Sequence, residues 1–292
     1  ASLPRQRGSL YDRHPALRIF VSLKLHRYLR RIKYGGPLSP TRQTLHNLHR
    51  AHLLAIPFEN IDVQLGLVPS LEPDAIFEKL VVRERGGWCF EHNLLFAWAI
   101  TQIGLRVDLI GATVNRSRHV EGAPINHLAL LVHLDEPYLA DVGFGNGFLV
   151  PTPLQEGTFN DGRFDFKLTC HGNYWRFYNH RENGATYDFT GETTGLETID
   201  AANRSLATTS ESPFVQTLVC AQLTEHGMTT LTNAALRVFS PAHMNEESAS
   251  SHESFERILR EHFALSIDRS EALWTRVADQ HKRWLRKRIR GF

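Results

Sequence analysis

The segment Arg85-Gly86-Gly87-Trp88-Cys89-Phe90-Glu91 carries the residue type best suited to covalent chemistry. Two glycines let the backbone turn sharply and leave room for a ligand to approach. Cys89 then falls at the start of a helical pattern, where unpaired N–H groups and the helix dipole stabilise a thiolate. Such a sulfur is an acyl-transfer nucleophile; it needs a base, and the base needs an orienting group. Two residues fit by context. His127 heads the run HLALLVHL, in which alternation puts His127, Ala129 and Leu131 on one face. Asp141 lies in YLADVGF between apolar neighbours, where a carboxylate without a hydrogen-bonding partner would be costly, and His127 is the natural partner. Plain packing readings stand beside these: Cys89 as a small buried residue, His127 as a satisfied core histidine, Asp141 as a turn residue before Gly143.

The elements that must position these residues follow from periodicity. The first hundred residues read as helices. Ser39 followed by Pro40 is a start signal, and Leu45, Leu48 and Ala55 recur at helical spacing until Pro57. Pro73 opens a second helix with Ile76, Phe77, Leu80 and Val81 on one face. A third runs from Cys89 through Leu94, Leu95, Trp98 and Ile100 to Gly104, a C-terminal glycine. From about residue 105 to 190, short β-rich runs (LRVDLIGATV, HLALLVHL, YLADVGF, FDFKLT, YWRFYN, ATYDFT) alternate with turn residues, which predicts an antiparallel sheet or small barrel. A mixed segment (FVQTLVCAQL, TTLTNAALRVF) and two helices, near 253–265 and 270–290, complete the chain. The Ser/Glu-rich stretch 245–254 reads as a short linker.

Composition narrows the classes. The 292 residues, 42% hydrophobic and 22% charged, suffice for two or three packed subdomains. No apolar run approaches the length of a membrane span, and the opening ASLPRQRGSLYDR lacks a signal peptide's apolar segment. Three cysteines, Cys89, Cys170 and Cys220, are an odd count at wide spacings; reduced thiols and a cytoplasmic location are expected. Net charge is +2, with the basic residues gathered at both ends and an acidic body between them. That layout argues against a nucleic-acid binder and suggests solvated helix surface at the ends. His46, His49 and His52 repeat every three residues and could in principle ligate a metal. Without CxxC or HExxH beside them, helix packing is the better reading, and no metal is expected.

Four blocks in order, LHRAHLLAIPFENIDV (48–63), RGGWCFEHN (85–93), NHLALLV (126–132) and ADVGFG (140–145), closely resemble the arylamine N-acetyltransferases of bacterial type. The resemblance spans roughly residues 28–270. It implies an α+β fold with a cysteine-protease-like core in three domains. These are a helical bundle carrying the cysteine (1–104), a central antiparallel β-barrel carrying the histidine and aspartate (105–210), and a C-terminal α/β lid (211–292). Carried over position by position, it makes Cys89 the acetylated residue, His127 its imidazolium partner and Asp141 the group that holds the imidazole. Glu59 and Arg85 match a buried ion pair that braces the active-site loop. Phe58, Val114 and Phe144 match the acceptor pocket, and Gly143, Phe144 and Gly145, within the stretch to Gly147, match the loop beside which the pantetheine of coenzyme A lies. A tight turn after a strand is the plain reading of Asn146 and Gly147. Asn126 stands where many relatives have Thr, Trp88 where many have Tyr, and His92 at a position that varies.

The activity so implied is transfer of acetyl from acetyl-CoA, as co-substrate, to the nitrogen of arylamines, hydrazines or arylhydroxylamines, by a ping-pong cycle through acyl-Cys89. The expected partners are therefore coenzyme A and a small acceptor, with no stable membrane association. Two alternatives share the triad: an amide synthase closing macrolactams, and a cysteine hydrolase or transglutaminase-like enzyme.

Overall fold

The computed structural model describes residues 15–114, 122–180, 185–241 and 243–290. The expectation for the basic N-terminal stretch therefore lies partly outside the described residues, as do the last two residues of the tail.

The helical layer comes first: α1 (Pro15–Arg31), α2 (Arg42–Ala55), the two-residue β1 (Phe58–Glu59), α3 (Ile61–Gln64), α4 (Pro73–Phe77) and α5 (Cys89–Gln102). The basic helix α1 is more than solvated surface, since Leu25, Tyr28 and Leu29 are buried against the other helices while Arg27 and Arg30 stay exposed. Helix α2 starts two residues later than Ser39 suggests. Thr41 is the N-cap, its hydroxyl accepting the Thr44 amide at 3.3 Å; two cap-type residues flank Pro40, and the second makes the bond. Helix α4 continues through a π-helical turn, Glu78–Val82, and Ile76, Phe77, Leu80 and Val81 are all buried as their spacing requires. Helix α5 is apolar nearly all round because it runs through the middle of the molecule, and Gly104 closes it at φ 93°.

The barrel layer contains β2 (Arg106–Val114), β3 (His127–His133), β4 (Pro137–Ala140), β5 (Thr152–Pro153), β6 (Gly157–Asn160), β7 (Asp165–His171), β8 (Tyr174–Tyr178) and β9 (Tyr187–Thr193). The eight strands pair in the order β5-β4-β3-β2-β9-β8-β7-β6, with every pairing antiparallel, and curl into a nearly closed barrel. Strand β3 is buried on both faces. Ala129 and Leu131 join Phe166, Leu168 and Phe177 inside the barrel, whereas Leu130 and Val132 pack toward the helices. A continuous apolar run is what such a strand demands.

The chain then forms α6 (Leu196–Thr208), α7 (Pro213–Gln216), the meander β10 (Val219–Thr224), β11 (Gly227–Thr232), β12 (Ala235–Ser240) and β13 (His243–Ser248), and the helices α8 (His252–Phe263) and α9 (Ser270–Arg290). Strand β1 completes this second sheet by pairing with β10, Phe58 opposite Ala221 and Glu59 opposite Cys220. The segment that leads toward Cys89 is thereby sewn into the C-terminal sheet. The Ser/Glu-rich stretch is not a linker. It is edge strand β13, all six residues exposed, followed by the Ser251 cap of α8. An edge strand wet on both faces buries nothing, so it carries no apolar alternation for the sequence to reveal.

Candidate active site

The loop before α5 is held by a zipper of backbone contacts. Glu59 N donates to Gly87 O at 2.7 Å, and Phe58 bridges Gly87 in parallel. A Cβ at Gly86 would collide with the Pro57 carbonyl, which explains the first glycine. At the helix start the Glu91 carboxylate accepts the Trp88 amide at 3.1 Å, capping α5 one residue ahead of Cys89.

Beneath the loop lies a buried ion cluster. Glu59 Oε1 accepts Arg85 Nε and Nη2 at 3.0 and 2.6 Å, and its other oxygen accepts the Ile61 amide. Arg85 Nη2 reaches Asp62 at 3.0 Å, while Lys79 Nζ bonds Asp62 at 2.7 Å and both Glu91 oxygens at 2.9 and 3.1 Å. Burial disfavours charge on Lys79, but the carboxylates of Glu91, Glu59 and Asp62 raise its pKa above the usual lysine range. The Glu59–Arg85 pair is the one expected from sequence; Lys79 and Glu91 were missed. A lysine inside the buried face of α4 and a glutamate inside apolar α5 were the available signals.

Strand β3 and the turn after β4 bring the other two groups to the sulfur. His127 Nε2 lies 2.7 Å from Asp141 Oδ2, both residues being buried. A carboxylate accepts, so Nε2 donates; Cys89 lines the same cavity as His127 and acts on its imidazole as a further partner. Burial alone would lower the His127 pKa; the Asp141 charge and the hydrogen bonds to Asp141 and Cys89 outweigh it and push it up to about 10. Burial would raise Asp141, but the His127 charge, with hydrogen bonds from His127, Asn93 and Gly143, holds it below the usual carboxylate range.

The scaffold around Asp141 is fully engaged. Asn93 Nδ2, one turn beyond Cys89, donates to Asp141 Oδ1 at 3.0 Å and to Leu128 O at 2.6 Å; Asn93 Oδ1 accepts the Val142 amide. Gly143 N donates to Asp141 Oδ1 at 2.9 Å, and Asp141 N donates to His49 Nε2 at 3.1 Å. Asn93 thus ties the cysteine's helix to the strands of the histidine and the aspartate, a role with no local sequence signature. Gly143 is required for close approach, since a Cβ there would sit 2.6 Å from both Cys89 Cα and Asn93 Nδ2.

A cavity of about 260 Å³ is lined by Cys89, Phe58, Val114, Phe144, His127, Gly143 and Gly145. Gly147 is not among the lining residues, and its carbonyl accepts Arg163 Nη2 at 3.0 Å. The Phe144 and Tyr187 rings flank His127 with centroids 5.0 and 5.1 Å away. Phe214 of α7 and Thr230 and Thr232 of β11 close the far wall. Nothing in the sequence links these to Cys89, because only the long-range pairing of β1 with β10 brings the second sheet there. Of the three spaced histidines, His49 donates from Nδ1 to Leu149 O and His52 bonds Tyr28 and His92. Among the described residues no group of three His, Cys, Asp or Glu side chains could hold a metal ion.

A profile of the family described as N-acetyltransferase matches residues 41–272. The chain is 30% identical over 278 residues to the pineal gland arylamine N-acetyltransferase isozyme NAT-3 of Gallus gallus, covering 85% of this chain and 96% of that protein. It is 34% identical over 252 residues to the arylamine N-acetyltransferase / N-hydroxyarylamine O-acetyltransferase of Salmonella typhimurium, covering 84% and 89%. The solved arylamine N-acetyltransferase structure from Salmonella typhimurium superposes with a TM-score of 0.81 at 30% identity, over 88% of this chain and 98% of that one. The Mycobacterium marinum enzyme in complex with CoA gives 0.80 at 26% identity, over 87% and 98%. Sequence, fold and site geometry agree: this chain is an acyltransferase and belongs to the arylamine N-acetyltransferase family.

Proposed function

We propose that the enzyme moves acetyl from acetyl-CoA to the nitrogen of arylamines, hydrazines or arylhydroxylamines by a ping-pong cycle through acetyl-Cys89. The observation that carries the reading is the Cys89–His127–Asp141 arrangement at the floor of an apolar cavity. In the first half-reaction the Cys89 sulfur, its proton held by His127, attacks the thioester carbonyl. The tetrahedral adduct expels coenzyme A, which leaves as the thiol with the proton from His127. In the second, the acceptor nitrogen attacks acetyl-Cys89, His127 takes up the amine proton, and the Cys89 sulfur departs as the amide forms. Asp141 holds the tautomer and offsets the imidazolium charge throughout.

The cavity's size and its Phe58, Val114 and Phe144 walls favour small flat acceptors. The stretch Gly143–Gly145 is the proposed resting place of the pantetheine, by analogy with the Mycobacterium marinum relative solved with CoA. Residues 1–104, 105–210 and 211–292 are read as bundle, barrel and lid, the lid's Phe214 and β11 side excluding water from acetyl-Cys89. No helix among the described residues is long and apolar enough to cross a membrane, and we assign the enzyme to the cytoplasm on its reduced cysteines.

The test is steady-state kinetics with acetyl-CoA and a panel of aromatic amines and hydrazines, following release of the coenzyme thiol. Parallel double-reciprocal lines are expected. Lines that intersect, or no acceptor-dependent thiol release from any member of the panel, would overturn the reading.

A further inference from the structure

Behind the nucleophile's helix three hydrogen bonds form a buried chain that the proposed cycle leaves unused. Tyr28 Oη lies 2.9 Å from His52 Nδ1, His52 Nε2 lies 2.9 Å from His92 Nδ1, and His92 Nε2 lies 3.1 Å from the Pro57 carbonyl oxygen. The three side chains are essentially inaccessible, at 0%, 0% and 1% exposure.

The last link fixes the direction of the others. A carbonyl oxygen only accepts, so His92 Nε2 carries the proton. Burial drives His92 down to about 4 and His52 well below its ordinary value, so both rings are neutral. His92 Nδ1 must then accept, His52 Nε2 must donate, His52 Nδ1 must accept, and Tyr28 must donate. No second arrangement satisfies all four groups. Fully satisfied buried networks of this kind specify one geometry.

The chain ends at a peptide that matters. Pro57 O belongs to the Pro57–Phe58 peptide, and its other donor, Gly87 N, is distant at 3.4 Å. Phe58 forms one wall of the cavity over Cys89, and its ring packs against the Gly145 backbone and against Phe214 at 6.3 Å.

We infer that His92 is a positioning residue for the acceptor: its Nε2–H to Pro57 O sets the peptide plane that aims Phe58 into the cavity, and Tyr28 and His52 hold His92 in the tautomer that can donate. The inference rests on the proposed acetyl transfer, which it deepens by assigning the acceptor wall to a residue that touches no substrate.

Two arms test it. In protein with ¹⁵N-labelled histidine, a scalar coupling between His52 Nε2 and His92 Nδ1 should be seen across their hydrogen bond. Its absence, or an Nδ1–H tautomer at His92, overturns the chain whether or not the protein is active. In kinetics, His92→Gln and the milder Tyr28→Phe should raise KM for a flat aromatic amine by about five- to tenfold, the worth of one hydrogen bond. The same variants should leave the single-turnover release of coenzyme thiol, and KM for an aliphatic hydrazine that needs no aromatic wall, within about twofold. Equal losses for both acceptors, or an unchanged aromatic KM, overturn the positioning role. A wild-type enzyme that releases no thiol with any acceptor overturns the proposed function instead.

Discussion

Mild acidification should cost this protein stability through its histidines before its carboxylates protonate. Burial lowers His49 and His92 to about 4 in the folded state, against about 6.5 when unfolded. The unfolded chain therefore takes up two protons that the folded one refuses, and stability falls as pH drops from about 6.5 to 4. Lowering one imidazole from about 6.5 to about 4 is worth between about 3 and 4 kcal/mol, so the pair removes about 7 kcal/mol. His52 is lowered well below its ordinary value and adds to the loss. Glu91, raised by burial, binds its proton earlier when folded and offsets part of it. A total of 5–15 kcal/mol is typical of a domain, so unfolding in this window is expected. His127 works in the opposite sense: its folded pKa is raised to about 10, so its contribution is complete below about 6.5 and is lost as pH climbs toward 10. Stability should therefore peak near neutrality. Urea titrations followed by tryptophan fluorescence would show the wild type losing roughly 3 kcal/mol per pH unit below about pH 6. The His92→Asn variant should be weaker at neutral pH yet flatter by about 1.4 kcal/mol per pH unit. A wild type equally stable at both ends of the window would refute the neutral, buried state of these imidazoles.

Three substitutions probe the site itself. Gly143→Ala places a methyl group 2.6 Å from Cys89 Cα, so the turn after β4 and helix α5 must separate; acetyl transfer should fall by about 10²-fold, and a rate within threefold of wild type would contradict the packing. Arg85→Met strands the buried Glu59 carboxylate and should cost about 3–5 kcal/mol in urea unfolding, partly recovered by adding Glu59→Gln; a neutral single variant would count against the ion cluster as a brace. Asp141→Asn removes the charge that keeps His127 protonated, leaving burial to lower it. Single-turnover thiol release should drop on the order of 10³–10⁴-fold, and an imidazole that still titrates near 10 by NMR would refute the cause given for its shift.

Much of this architecture is written locally. Helix α5 and strand β3 are long apolar runs with clean boundaries, and the residues proposed to do the chemistry stand out against such runs: Cys89 at the head of one, just after Gly86-Gly87-Trp88, His127 at the head of the other, and Asp141 between Ala140 and Val142. What escaped the sequence depends on distant partners. Lys79 and Glu91 stand out as charges within apolar helix faces, but that they pair with each other and with Asp62 follows only once the helices are packed together. Phe214 joins the cavity only because β1 pairs with β10 across 160 residues of chain. Strand β13 is polar on both faces and exists through its ladder to β12, including Arg237 against Glu246 at 2.8 Å. Helix α6 leaves little trace in the sequence because its buried side is built from one isoleucine, two alanines and an asparagine, too small a stripe to declare a period.

The claim on which the account turns is that one sulfur carries the acetyl group. Intact-protein mass spectrometry after incubation with acetyl-CoA alone, followed by peptide mapping, tests it directly. The account predicts a single acetyl group, located on Cys89, that disappears when an aromatic amine is added and never forms in Cys89→Ala. An unmodified Cys89 after exposure to acetyl-CoA, or an adduct on Cys170 or Cys220 that the amine discharges, would contradict it.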